Sequence, residues 1–161
     1  MKRISLILLA LVLLIMLPAC TSASYSDDVA LDALTQAIEA ALPSDALYST
    51  AHEGSLDDYF TMPDYVTDSV IRFSTNAKNL DQYGIFHVTD GNASAMQALL
   101  RDYLERVYEE NQVWYDSYIP EETPKLRDAD VRVFGNYVVF AVYSGSDKAI
   151  LFDTVKNNLA A

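Results

Sequence analysis

The chain has 161 residues, 51% of them hydrophobic and 21% charged, and a formal net charge of −12. That length fits one domain, and the composition excludes a disordered chain, a collagen and a disulfide-stapled mini-protein. With Cys20 as its single cysteine no disulfide forms within the chain, and no basic cluster of the kind nucleic-acid binding requires is present.

Lys2 and Arg3 precede a run of 14 residues, Ile4 to Leu17, whose one polar member is Ser5. As a helix the run would span ~21 Å, short of the ~30 Å hydrocarbon core of a bilayer. A short apolar run behind a basic start is the profile of an export signal. An uncleaved N-terminal anchor is the alternative. Leu17-Pro18-Ala19-Cys20 follows. It resembles the lipobox of bacterial lipoproteins, in which an apolar residue and two small or neutral ones precede the cysteine. The resemblance implies a diacylglyceryl thioether on the Cys20 sulfur and cleavage before it. Residues 1–19 are then a signal peptide, 20–26 the lipidated cysteine and a short tether, and 27–161 a single domain. It further implies a location at the cell membrane, lipid-anchored and facing outside the cytoplasm. Cleavage leaves 142 residues with 9 basic and 23 acidic side chains, a charge of −14. Such a domain is repelled by anionic head groups and by nucleic acid, so it should hang from its lipid rather than lie on the membrane.

Ser26-Asp27-Asp28 reads as a helix start, a capping hydroxyl followed by acids at the positive end of the dipole. Leu31, Leu34, Ile38 and Leu42 then share a stripe of 3.6 periodicity up to Pro43, which predicts a first helix over about Asp27 to Leu42. Ser55 to Phe60 could form one helical turn. Val70 to Phe73 and Tyr83 to Thr89 read as two strands joined by the polar stretch Asn76 to Gln82. Asp90-Gly91-Asn92 is a turn and cap before the longest helix, from Ala93 to Trp114 or on to Tyr118. Met96, Leu100, Tyr103, Val107, Trp114 and Tyr118 share one of its faces.

Pro120 to Arg127 reads as a loop. Val131 to Phe134 and Tyr137 to Tyr143 then flank Gly135-Asn136, a two-residue turn of a favoured hairpin type. This turn pairs Phe134 with Tyr137 and Val133 with Val138. A last helix is predicted over Asp147 to Asn158. The order α-ββ-α-ββ-α describes an α+β domain, an antiparallel sheet of two hairpins packed with three helices.

The lipobox, the long helix ending in aromatic residues before a proline loop, and the Gly135-Asn136-Tyr137-Val138 hairpin are together similar to a family of small bacterial lipoproteins recorded as a domain of unknown function. The resemblance implies localisation and fold. It carries no activity and no functional residue.

No constellation meets the demands of a catalytic site, so neither a cofactor nor a metal is expected. His52 and His87 lie in different segments, too few and too scattered for a zinc site. Asp57, Asp58, Asp64 and Asp68 form an acidic cluster without calcium-loop spacing. The reading favoured is a binding or accessory module for an unidentified envelope protein or ligand. The alternative is an envelope hydrolase using Asp57 or Asp64. One recognition surface is conceivable from the hairpin, which is apolar on both faces. Val131, Val133, Val138, Phe140 and Val142 form an aliphatic face suited to packing against helices. Arg132, Phe134, Tyr137 and Tyr143 form an aromatic face with one cation, which is either such a surface or a second core layer beneath a helix.

Overall fold

The computed structural model describes residues 24–42, 48–50 and 60–161, and of residues 48–50 only the backbone. The signal segment, Cys20, His52, Asp57, Asp58 and most of the predicted turn at Ser55 to Phe60 lie outside the described residues. The elements are α1 (Leu31–Ala41), β1 (Tyr48–Thr50), β2 (Val66–Ser74), β3 (Gln82–Val88), α2 (Ala93–Tyr118), α3 (Thr123–Arg127), β4 (Asp130–Phe134), β5 (Tyr137–Val142) and α4 (Gly145–Leu159). The predicted order α-ββ-α-ββ-α is present, with a short edge strand and a five-residue helix added. All strands pair antiparallel in one five-stranded sheet of order β1-β2-β3-β5-β4. The domain is α+β.

The β4–β5 hairpin turns where its sequence predicts. Gly135 takes the left-handed backbone at φ +62°, and Phe134 pairs with Tyr137 and Val133 with Val138. Both faces of the sheet are covered. Leu34 and Ile38 of α1, with Leu151, Phe152, Val155 and Leu159 of α4, bury one face. Met96, Leu100, Tyr103, Leu104 and Val107 of α2, with Leu126 of α3, bury the other. All six residues of β5 are therefore buried, and it reads as the continuous apolar run Tyr-Val-Val-Phe-Ala-Val rather than as an alternation.

This second layer decides the question of the hairpin's aromatic face. Phe134, Tyr137 and Tyr143 are buried beneath α1 and α4. Of the four residues, only Arg132 reaches solvent, where it pairs with Asp130 at 2.9 Å and lies 4.3 Å from the Phe152 ring centroid. The aromatic face is core and cannot be a recognition surface. Its aromatic character serves packing. The Tyr137 hydroxyl donates to the Val29 carbonyl at 2.8 Å, so the phenol is buried with its polar end satisfied.

Three boundaries differ from the sequence expectation. α1 begins at Leu31, four residues late, and Ala30 caps it without a side-chain bond. The aspartates expected in its first turn stay in an extended strap, residues 24–30, because other partners take them. Ser26 N–H donates to the Leu159 carbonyl at 2.8 Å, and the Asp27 carboxylate bonds the His87 ring at 2.9 Å. The loop after Pro120 contains α3, which Pro124 suits by sitting in its first turn. The Asn92 side chain caps no helix N–H. It turns back to the Thr89 hydroxyl at 2.9 Å.

A partly buried polar cluster ties α1 to the sheet. Arg72 grips Glu39 through both carboxylate oxygens at 2.7 and 3.2 Å, and the Tyr83 hydroxyl donates to the same carboxylate at 3.1 Å.

Candidate functional site

The site follows from a mismatch of lengths. α2 has 26 residues and is ~39 Å long. The strands of five and six residues on which it lies, β4 and β5, measure ~17–20 Å. Helix and sheet start together at the hairpin-turn end, where Asn136 Nδ2 bonds Asp90 two residues before the Asn92 cap. The helix runs past the sheet's far end. Val107 is its last buried residue, ~21 Å from Ala93. Beyond it Tyr108 and Tyr115 still pack partly against the core, but the helix runs on past β4 and β5 and part of its apolar face is left open.

Val113, Trp114 and Tyr118 lie on this overhang, exposed by 77%, 51% and 69%. The sequence pattern assigned Trp114 and Tyr118 to the core face. They share its direction but not its burial. The two rings lie 5.1 Å apart between centroids at 32°, and Trp114 also meets Tyr115 edge-on at 5.5 Å. Phe73, Trp114 and Tyr118 are the exposed aromatic residues among those described, and Trp114 and Tyr118 are the two in ring contact. A cluster of this kind on an otherwise acidic surface is the usual mark of an interaction site.

Beside the patch, between the β2–β3 connection and α2, is an open cleft of about 470 Å³. Phe73, Tyr103, Tyr115 and Leu126 give it an apolar floor, and Asn76 and Gln82 contribute amides. One wall is held rigidly. Lys125 Nζ bonds Asp81 and Glu122, each at 2.8 Å, and Glu122 also accepts the Leu80 backbone N–H at 2.9 Å. Burial alone would lower the Lys125 pKa, but these two carboxylates outweigh it and hold the ammonium above its ordinary value. Lys125 is thereby committed to the fold and gives the cleft no free cation.

The opposite end of the molecule carries a second polar group. Thr67, placed at a register shift in β2, has its hydroxyl 2.7 Å from His87 Nδ1, and His87 Nε2 meets the Asp27 carboxylate at 2.9 Å. Hydroxyl, imidazole and carboxylate in line are the parts of a general-base relay. The Thr67 hydroxyl also donates to the His87 carbonyl at 3.0 Å, and the opening is a shallow 200 Å³ beside Asp28 and Asp68, in which no donors converge for a developing oxyanion among the described residues. Chemically the group fastens the strap. The hydrogen bond to His87 holds the Asp27 carboxyl below the usual carboxylate range.

Asp64, the described candidate for the hydrolase alternative, is exposed in a turn away from both openings. Asp68 accepts the Ser69 N–H at 2.9 Å. Among the described residues no group of three or more His, Cys, Asp or Glu could hold a metal ion, and no helix is long and apolar enough to cross a membrane.

No family model, curated protein or solved structure matches this chain. What the molecule does has to be argued from its own surface.

Proposed function

We propose that this chain is a lipid-anchored binding or accessory module of the cell envelope, tethered through Cys20, with the overhanging end of α2 as its recognition surface. The observation that carries the reading is the exposure of Val113, Trp114 and Tyr118 on a helix that outruns its sheet. Beyond Val107 the helix still packs Tyr108 and Tyr115 partly against the core, but Val113, Trp114 and Tyr118 put large apolar side chains into water, which is unfavourable for folding and marks an interaction surface.

The placement agrees with a tether at Cys20. The strap leads in at the hairpin-turn end of the sheet, where Tyr25 packs edge-on against Phe134 at 5.7 Å. α2 starts at that end and points away from it. A domain hung from residue 20 therefore presents its aromatic pole away from the bilayer, where an envelope partner can reach it.

Site-specific photocrosslinking on intact cells tests this. A photoreactive side chain at position 118 should give an adduct that the same group at position 156, exposed on α4, does not give. Absence of any adduct from 118, or the same adducts from both positions, would refute the assignment of the surface.

A further inference from the structure

We propose that the occupant of the aromatic pole is a cationic amphipathic protein segment, with Arg or Lys beside apolar side chains. This rests on the recognition reading above and adds the partner's chemistry to it. Three features of the overhang specify that chemistry.

The first is the spacing of charge against the patch. Glu109 stands four residues before Val113, and Glu110 four before Trp114, which itself stands four before Tyr118. Residues four apart are stacked on one helix face. Each apolar row is thus headed by a carboxylate one turn below it. Glu109 and Glu110 are exposed and make no ion pair among the described residues. A guanidinium or ammonium laid along the Glu110 row meets a carboxylate and the Trp114 and Tyr118 faces together, and both attract cations; along the Glu109 row the carboxylate stands beside the apolar Val113.

The second is the helix end. Residues 107–122 contain five acidic and no basic side chains. The last turn of α2 has no basic residue, and Asp116 sits beside the negative end of the dipole. Glu122 is neutralised by Lys125. Arg127 feels Asp116, but its guanidinium is bonded to Asp128. An acid at a helix C-terminus disfavours the isolated helix, and a cationic partner relieves that cost.

The third is the exclusion of other occupants. A second copy would bring the same carboxylates face to face, because a two-fold contact meets its own patch. An anionic bilayer would repel them. Nucleic acid would be repelled more strongly. A cationic segment is the occupant for which hydrophobic burial and charge act in the same direction.

Trp114 is the only tryptophan in the chain, so its emission reports the patch directly. The intact protein in dodecylmaltoside is titrated with three peptides of equal length: an amphipathic Arg/Leu peptide, its Glu/Leu counterpart and an Arg/Ser peptide. The Arg/Leu peptide should shift the emission to the blue and saturate, and added salt should weaken it. The other two should produce little change. Glu109→Gln with Glu110→Gln, at two exposed positions, should weaken Arg/Leu binding at least tenfold and flatten its salt dependence, with an unchanged circular dichroism melt. Equal binding of the Arg/Leu and Glu/Leu peptides would overturn the cationic assignment while leaving recognition at this pole standing. So would a shift produced by anionic vesicles, or by raising the protein concentration, in place of the peptide. No response to any of these probes, combined with no adduct at position 118, would remove the recognition reading as well.

Discussion

Gly84 is the position in the sheet where one added carbon should do the most damage. It is paired directly across the strands with Phe140, whose ring lies over it. A Cβ built at Gly84 falls 2.3 Å from Phe140 Cε1 and 2.9 Å from both Phe140 Cδ1 and Phe86 Cε2. Ordinary carbon contacts begin at about 3.5 Å, so the Phe140 ring must move by more than an ångström. It has nowhere to go. Both phenylalanines are fully buried, and Tyr103 stands edge-on to Phe140 at 5.9 Å. Overpacking of this kind costs about 1–3 kcal/mol, and the tight contact puts Gly84→Ala near the top of that range. The alanine returns about 0.4–1 kcal/mol by restricting the unfolded chain, because Gly84 is not in the left-handed region. A net loss of about 2 kcal/mol is expected. Urea denaturation followed by far-ultraviolet circular dichroism measures it, since Trp114 is too exposed to report on the core. Phe140→Leu supplies the second arm. Alone it costs on the order of 1–2 kcal/mol in lost packing. In the Gly84→Ala background it removes the clash, so the double variant should be more stable than the sum of the singles by about 1–2 kcal/mol. Strict additivity, or a Gly84→Ala protein as stable as the wild type, would refute the packing argument.

Three further outcomes are open to measurement, two from the geometry and one from the sequence. The Tyr83 phenol is pushed well above its ordinary pKa, by burial first and by the Glu39 carboxylate second. Its contribution to folding is intact below the unfolded value of about 10 and drains away as the pH rises above it. Absorbance at 295 nm should show Tyr83 staying protonated in the native state well above the pH at which it ionises in the unfolded chain. Glu39→Gln should lower the Tyr83 value only part of the way, because burial is the larger cause. The Asp27 carboxyl is held low by its bond to His87, so its contribution is present above the unfolded value of about 3.9 and lost as the pH falls through the lower folded value. Amide exchange in residues 25–30 should accelerate on acidification before the sheet does, and Asp27→Asn should produce the same loosening at neutral pH. Under the lipoprotein reading, Cys20→Ala should abolish incorporation of a clickable fatty acid and release the protein from the membrane fraction; label retained in that variant would end the reading.

The hairpin was legible because its turn chemistry is local. Gly135-Asn136 requires backbone that few residue pairs supply, and the register follows from it. The start of α1 was not. Ser26-Asp27-Asp28 has the local chemistry of a helix cap, but His87, sixty residues away, takes the carboxylate that would have served it. The strand Tyr48–Thr50 is too short to leave a periodic trace. The aromatic pole was illegible for a different reason. Periodicity shows which residues of α2 share a face, and Trp114 and Tyr118 do share it with Val107. Where that face stops being covered depends on the lengths of β4 and β5, which lie later in the chain and pair with it only in space. The buried state of Phe134, Tyr137 and Tyr143 depends likewise on α1 and α4 both finding the same side of the sheet.

The strap and the last helix end side by side. Tyr25 bridges Ala160 antiparallel, and the Ala161 N–H donates to the Ser24 carbonyl at 3.2 Å. Residues 24 and 161 are thus held next to each other by backbone hydrogen bonds. A short peptide could join those two positions without stretching the backbone, and new ends could be opened in the exposed turn at Gly91, where an added side chain meets nothing within 4 Å. Such a circularly permuted chain should keep the sheet order and both cores. It would also move a fused reporter from the strap to the start of α2.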